Sequence, residues 1–235
     1  MKAEMVSFAG LPEILPPHPV ISIAGAGGKT TLMFALAEQL PGTAVTTTTT
    51  KVGADQIKVT GQQTTLNRFP PAVPAKTIWV SPSLTPQNGK ITGCGPAEFT
   101  TLAEICGENG WALIAETDGA AKRPLKAPAS HEPVIPAECN VCFYLAGLNA
   151  IGLPLDAEYI HRPECYGGIT GLQPGSPVTA ESVVSLMDHP DGGTKNIPAD
   201  ALRIAFLTHA DTPERLSAGR FIAGNLQQYD YVCIH

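Results

Sequence analysis

Short, mostly apolar runs alternate with stretches of helical periodicity along most of the chain. Such runs lie at 20–24, 43–46, 77–80, 111–115, 141–146, 202–207 and 231–234, most of them preceded by Gly, Pro, Asn or Asp. They predict strands covered on both faces, because a strand with one wet face would alternate apolar and polar. Between them lie amphipathic segments. At 29–40, Leu32, Leu36 and Leu40 recur at i, i+4, i+8 beside Met33 and Ala37, and Pro41-Gly42 stops the helix. Further helices are predicted at about 96–108 (Phe99, Leu102, Ala103, Cys106), 179–188 (Val183, Val184, Leu186, Met187) and 213–227. Strands alternating with helices predict a three-layer α/β domain with a mainly parallel sheet. Residues 1–19, punctuated by Pro12, Pro16, Pro17 and Pro19, read as an irregular N-terminal arm. Residues 52–76 read as mostly irregular and 89–95 as a turn or hairpin. Residues of about 120–175 read as a long loop-rich segment lining a cleft, within one domain spanning 1–235.

The first strand runs into Gly25-Ala26-Gly27-Gly28-Lys29-Thr30-Thr31, and the helix follows at once. Glycines let backbone N–H groups turn inward with no Cβ in the way. The helix start offers unpaired N–H groups and the positive end of its dipole, which together attract an anion. The usual pattern G-x-x-x-x-G-K-[ST] would need glycine at position 23, which is Ile23, so this is a shorter P-loop form. A dinucleotide fingerprint G-x-G-x-x-G would need glycine at position 30, where Thr30 stands. Lys29 is placed to reach β- and γ-phosphates and Thr30 to ligate Mg²⁺. The fold expectation becomes a P-loop NTPase-like domain, and the cofactor expectation ATP or GTP with Mg²⁺. The alternative is a glycine-rich turn that binds nothing.

Composition narrows the partners. Hydrophobic content of 43% in 235 residues supports a real core, and the 22 Pro and 23 Gly cluster between apolar runs as ordered loops. A net charge of −6 gives no electrostatic case for nucleic acid or an anionic membrane. There is neither an apolar stretch of membrane-spanning length nor a signal-peptide pattern at 1–5, so a cytoplasmic protein with six reduced thiols is expected. Cys139, Cys142, His161 and Cys165 could be written as a soft-metal set. The competing reading makes Cys139 and Cys142 buried thiols beside a core strand, on opposite faces if both lie within it.

Two other stretches sit at strand ends, where ligands of open α/β sheets bind. Residues 46–50 are five threonines followed by Lys51. Thr48 and Lys51 are candidates for the γ-phosphate or Mg²⁺; the alternative is a polar edge strand. The run at 111–115 leads into Glu116-Thr117-Asp118, an apolar strand ending in acid as a Walker-B arm requires. Asp118 is expected on Mg²⁺ beside Thr30, with Glu116 as its partner or as a water-orienting base. Carboxylates this close need a cation between them. With Lys29 they form the catalytic set. The alternative is a cap or surface acid.

The segment 118–129 (Asp-Gly-Ala-Ala-Lys-Arg-Pro-Leu-Lys-Ala-Pro-Ala), then His131-Glu132-Pro133-Val134-Ile135-Pro136, resembles the signature of the YqeC family. The glycine loop, the threonine run and His161-Arg162-Pro163-Glu164 are similar to the same family, over about 20–210. The family comprises selenium-dependent molybdenum hydroxylase accessory proteins, also called selenium cofactor biosynthesis proteins. The resemblance implies a P-loop nucleotide-binding fold, a role in maturing those enzymes, and a molybdenum hydroxylase or its cofactor as client.

The residues keep their own reading beside it. Lys122, Arg123 and Lys126 form a basic knot that could neutralise phosphate or receive an anionic substrate, or be a solvated loop. His131 is a candidate for substrate binding or proton transfer, or satisfies backbone carbonyls. His161 and Arg162 are candidate substrate contacts. At the end of a late strand, Thr208-His209-Ala210-Asp211 resembles the N-K-x-D element with which GTPases read guanine, which puts Thr208 and Asp211 near the base. The competing reading makes Asp211-Thr212 a helix cap, with Pro213 at the first position. Three activities remain open: hydrolysis driving a handover, phosphate transfer to a small acceptor by a kinase or ligase, or a nucleotide-regulated chaperone without turnover.

Overall fold

The computed structural model describes residues 3–59 and 61–235. Its frame is a nine-stranded sheet in which every neighbouring pair is parallel. The apolar runs become β2 (Val20–Gly25), β3 (Ala44–Thr48), β6 (Thr77–Ser81), β8 (Ala112–Glu116), β10 (Val141–Gly147), β12 (Leu202–Thr208) and β13 (Tyr231–Ile234). All seven residues of β10 are buried, as expected of a central strand covered on both faces. Two short edge strands complete the sheet, β1 (Glu4–Met5) and β5 (Gln62–Thr65), giving the order β1-β13-β12-β10-β2-β8-β3-β6-β5.

Alternate strand residues face two layers of helix. Ile21, Ile23, Ile114, Phe143 and Leu145 pack under α2 (Lys29–Gln39), whose Leu32, Met33, Leu36 and Ala37 form its buried stripe. The N-terminal arm covers the same face with Leu11 of α1 (Leu11–Ile14) and Phe8. On the other face α3 (Pro96–Asn109) sets Phe99, Leu102 and Cys106 on Val45, Ile78 and Leu113. Beside it, α4 (Pro163–Thr170), α5 (Ala180–Asp188) and α6 (Pro213–Asn225) cover Tyr144, Ala146, Ala205 and Leu207. Each such large side chain taken fully from water contributes about 1.5–3 kcal/mol. Two small ladders stand off the sheet: β4 (Lys51–Gly53) antiparallel to β7 (Lys90–Thr92), and β9 (Leu125–Lys126) parallel to β11 (Ile160–His161).

The differences from the periodicity reading have a common cause. β1 is exposed and held by main chain alone, through Glu4 N–H to the Asp230 carbonyl (2.9 Å) and Val6 N–H to the Val232 carbonyl (3.0 Å). β5 is polar, Gln-Gln-Thr-Thr, and pairs with β6 by backbone register. Neither leaves an apolar signature. The N-terminal arm and residues 52–76 are therefore not wholly irregular: each adds an edge strand. α4 escaped notice because Gly167-Gly168 interrupt its pattern; Gly167 sits where a Cβ would lie 2.8 Å from the Leu172 carbonyl oxygen. The 89–95 turn gives a strand to β4, and β3 continues two residues past the predicted 46. Cys139 precedes β10, so it shares one core cluster with Cys142 instead of facing away from it. Burial pushes both thiols up, Cys142 to about 12. No helix among the described residues is long and apolar enough to cross a membrane.

Candidate functional site

The strand order reverses at β2. From there the chain places β8, β3 and β6 to one side and β10, β12 and β13 to the other. In open α/β sheets the crevice at such a point, at the carboxyl ends of the strands, is where ligands sit. The glycine loop lies there. Gly25 (φ +89°) crosses β10 so closely that a Cβ would lie 2.3 Å from the Leu145 carbonyl oxygen. Gly28 (φ +118°) has open space around it and turns the chain into α2 in a conformation L side chains avoid. The two ends of the loop differ in use. Gly25 N–H donates to Asp118 Oδ2 (3.1 Å) and Ala26 N–H to the Leu145 carbonyl (3.0 Å), so these amides fasten the loop from behind. Gly27, Gly28, Lys29, Thr30 and Thr31 line a cavity of about 640 Å³.

Insertion of β8 between β2 and β3 brings both acids to the loop, with Glu116 in register with Ile23. The Thr30 hydroxyl donates to Glu116 Oε2 at 2.7 Å. Lys29 Nζ donates to the Gly25 carbonyl (2.8 Å) and stands 3.8 Å from Glu116 Oε1 and 3.2 Å from Asp118 Oδ1. The cation that two neighbouring carboxylates require is thus the lysine itself. Its approach to Asp118 Oδ1 is that of an ion pair, without hydrogen-bond alignment.

Asp118 is wholly buried and does not line the cavity. Behind it lies Lys126, also without exposed side chain, whose Nζ reaches Asp118 Oδ2 (3.0 Å), Glu132 Oε2 (2.7 Å) and the Gly119 carbonyl (2.6 Å). Tyr144 OH donates to the Lys126 carbonyl (3.0 Å). Arg162 forks onto both oxygens of Glu132, with Nη2 at 3.1 Å from Oε1. Lys29, Lys126 and Arg162 thereby balance Glu116, Asp118 and Glu132 in one continuous chain. Buried charge is tolerated only when paired and hydrogen-bonded to this degree. Burial alone would raise the Glu132 carboxyl, but the hydrogen bond and charge of Lys126 and the charge of Arg162 outweigh it and hold it below its usual range.

The remaining wall of the cavity is basic. Lys51, Lys90, Lys122, Arg123 and Arg162 line it together with Lys29, against Asp55, Glu116 and Glu132. Six cations against three acids leave an excess of three positive charges, in a protein whose net charge is −6. Such a concave, like-charged surface concentrates anions. His161 also faces it. Burial first, then Arg162 and Lys126, lower its pKa and favour the neutral imidazole.

A family model described as YqeC protein matches residues 21–164. The chain belongs to the YqeC family. Over 225 residues it is 32% identical to a protein of Escherichia coli (strain K12) named "Uncharacterized protein YqeC", covering 92% of this chain and 85% of that one. No solved structure matches.

For this member of the YqeC family, the expected site residues divide into three groups. Lys29, Thr30, Thr31, Gly27, Gly28, Glu116, Lys51, Lys122, Arg123, His161 and Arg162 meet in one cavity. A second group sits behind it and holds the first. Gly25, Ala26 and Asp118 anchor the loop, and the Thr208 hydroxyl donates to the Gly27 carbonyl at 2.8 Å. Thr48 Oγ1 donates to the Glu116 carbonyl at 2.8 Å, so its hydroxyl is spent on positioning β8. Lys126 is spent likewise. A third group lies elsewhere. His131 is exposed in a turn outside the cavity lining. Asp211 is exposed, and its carboxylate accepts from Arg215 Nη1 at 2.6 Å, while Thr212 caps α6 by accepting from Arg215 N–H. The capping geometry anticipated for this segment is present.

Residues not expected in the site also reach the cavity, among them Asp55, Gln56, Lys90, Glu132, Asn149 and His209. Asn149 follows the carboxyl end of β10, a position that parallel topology marks as ligand-facing. His209 carries a left-handed backbone (φ +62°) at the end of β12, which no sequence pattern announces.

Proposed function

We propose that this protein is a magnesium-dependent P-loop nucleotide-binding protein, an ATP- or GTP-hydrolysing accessory factor of the cytoplasm. The observation that carries the reading is Thr30 against Glu116 at 2.7 Å, beside Lys29, at the open start of α2. A hydroxyl and one carboxylate suit Mg²⁺, which keeps waters and takes its other ligands from nucleotide phosphates. The proposed metal pair is therefore Thr30 with Glu116. Asp118, pinned between Lys29 and Lys126, takes the part of positioning residue. When bound, the ion would neutralise charge on the phosphate oxygens. The loop amides from Gly27 to Thr31 would hold the phosphates, Lys29 would swing from the Gly25 carbonyl onto them, and Asp118 would guide that lysine. Catalysis here is positioning and charge stabilisation. The family resemblance supports the wider role: accessory work in maturing selenium-dependent molybdenum hydroxylases, with such an enzyme or its cofactor as client.

A thermal-shift panel of ATP, GTP and CTP with and without Mg²⁺ tests the reading. A nucleotide at a hundredfold excess over its Kd stabilises by about 2.7 kcal/mol, which raises Tm by roughly 5–10 °C for a chain of this size. The shift is expected with Mg²⁺, to fall with EDTA, and to vanish in Lys29→Ala. A Glu116→Gln variant should keep nucleotide affinity but lose most of its dependence on Mg²⁺. No shift with any nucleotide would sink the reading.

A further inference from the structure

The charge chain from Lys29 to Arg162 is neutral by itself: three cations, three carboxylates. What remains on the cavity wall is Lys51, Lys90, Lys122 and Arg123 against Asp55, and none of these four cations makes an ion pair among the described residues. The excess positive charge of the cavity therefore lies wholly outside the glycine loop and its acids. Arg123 is itself oriented, because its Nε donates to the Ala157 carbonyl. That bond fixes the arginine near His161, whose imidazole senses the charges of both Arg162 and Arg123.

The backbone of this wall is unusual as well. Among the described residues seven non-glycines have positive φ, and four of them line this one cavity: Ala121 (+48°), Lys122 (+61°), Arg162 (+63°) and His209 (+62°). Each such conformation costs about 1–2 kcal/mol. Arg162 is held in this conformation by Glu132, itself paired with Lys126, next to the parallel ladder of β9 and β11.

We infer that Lys122, Arg123, His161 and Arg162 form a second subsite, which takes a small molecule carrying an oxyanion group, phosphate or carboxylate, beside the nucleotide. The Arg123 guanidinium, engaged only through Nε, offers its Nη groups to either oxyanion, while Arg162, its fork held by Glu132, adds positive charge to the wall. A neutral His161 among them can accept a hydrogen bond from a hydroxyl of the same molecule, which a protonated ring could not. The subsite rests on the nucleotide reading only for the identity of its neighbour. Its own evidence is the unpaired charge of Lys122 and Arg123 and the built wall around them.

Isothermal titration with inorganic phosphate and with malonate separates the possibilities. Both probes are titrated into wild type, Lys29→Ala and the double variant Lys122→Gln/Arg123→Gln, with and without a non-hydrolysable nucleoside triphosphate and Mg²⁺. One probe should bind wild type and Lys29→Ala equally, and at least tenfold more weakly to the double variant. The tighter probe names the oxyanion. Binding should persist when the triphosphate is bound. If the triphosphate displaces the probe, the four residues serve the γ-phosphate and the subsite is wrong. Equal binding to wild type and to the double variant, or no binding by either probe, also overturns it. If no nucleotide binds at all, the Lys29→Ala and double-variant arms still decide the subsite, so the two readings fail separately. Far-UV circular dichroism of the double variant checks that it is folded.

Discussion

The glycine loop after β2 and the threonine run that ends β3 look alike in the sequence: both are unusual and both stand at the carboxyl end of a strand. The structure uses them in opposite ways. From Gly27 to Thr31 the loop opens into the cavity, with its amides at the start of α2. Thr46, Thr47 and Thr48 are wholly buried, and each hydroxyl is already spent: on the Ile78 carbonyl (3.3 Å), the Val80 carbonyl (2.8 Å) and the Glu116 carbonyl (2.8 Å). Thr49 donates to the Val134 carbonyl at 2.9 Å, which ties down the loop that carries Glu132. The difference teaches where hydroxyls are needed. In a central strand a threonine side chain can brace a neighbouring strand, whereas only a segment freed of such duties can meet a ligand.

Substitutions in the two regions should therefore separate stability from binding. The largest effect belongs to the frame. Asp118→Ala leaves Lys29 and Lys126 without their shared carboxylate, and breaking a buried charge cluster in this way costs about 3–5 kcal/mol. The urea unfolding midpoint measures it; a change below about 1 kcal/mol would mean that the charges are not buried together in solution.

Gly28→Ala should do the reverse. Nothing crowds a new methyl, so the cost in stability is confined to the positive φ, about 1–2 kcal/mol. The nucleotide-induced Tm shift should nonetheless fall by more than half. Thr47→Val forms the matched control: it removes the buried hydrogen bonds of the Thr47 hydroxyl with the Val80 carbonyl and Cys94 Sγ, costs about 1–2 kcal/mol, and should leave that Tm shift intact. Loss of nucleotide binding in Thr47→Val with retention in Gly28→Ala would invert the comparison.

Glu132 offers a pH test of the frame. Its folded-state carboxyl is held below the ordinary value of 4.5, chiefly by Lys126 and Arg162 against the opposing pull of burial. A lowered folded pKa contributes stability that is fully present above 4.5 and lost as pH falls through the folded value. The urea midpoint of wild type should therefore drop below pH 4.5, and Glu132→Gln should show a flatter acid limb. The smallest effect is expected at Asp211→Asn. Its solvent-exposed pair with Arg215 is screened by water, so the urea midpoint should barely move and the preference among ATP, GTP and CTP should not change. A switch in base preference would return Asp211 to the site.

Much of the fold was legible because its physics is local. Seven buried strands were visible as apolar runs, since parallel strands covered on both faces must be apolar throughout. Helix α2 was visible from its leucine spacing, and the loop from glycines followed by Lys29 and Thr30. The polar β5, the two-residue β1 and the glycine-interrupted α4 were not, because backbone pairing and tertiary cover hold them in place of a hydrophobic pattern. Within the site, Lys29, Thr30 and Glu116 were found by spacing along one strand–loop–helix unit and one strand end. Which acid faces the cavity was not, because Glu116 and Asp118 both follow the same apolar run.

The sequence by itself determined the alternation of strand and helix, the glycine loop at a strand-to-helix join, and the acids and cations near it, since each is written in residues adjacent along the chain. Only the tertiary structure decided their employment. The insertion of β8 beside β2 put Glu116 against Thr30, while Lys126, arriving from β9, closed over Asp118 and withdrew it from the cavity. Parallel order brings together residues roughly ninety positions apart, and burial then sorts them: a charge with two buried partners holds the frame, and a charge with none is left to meet a ligand.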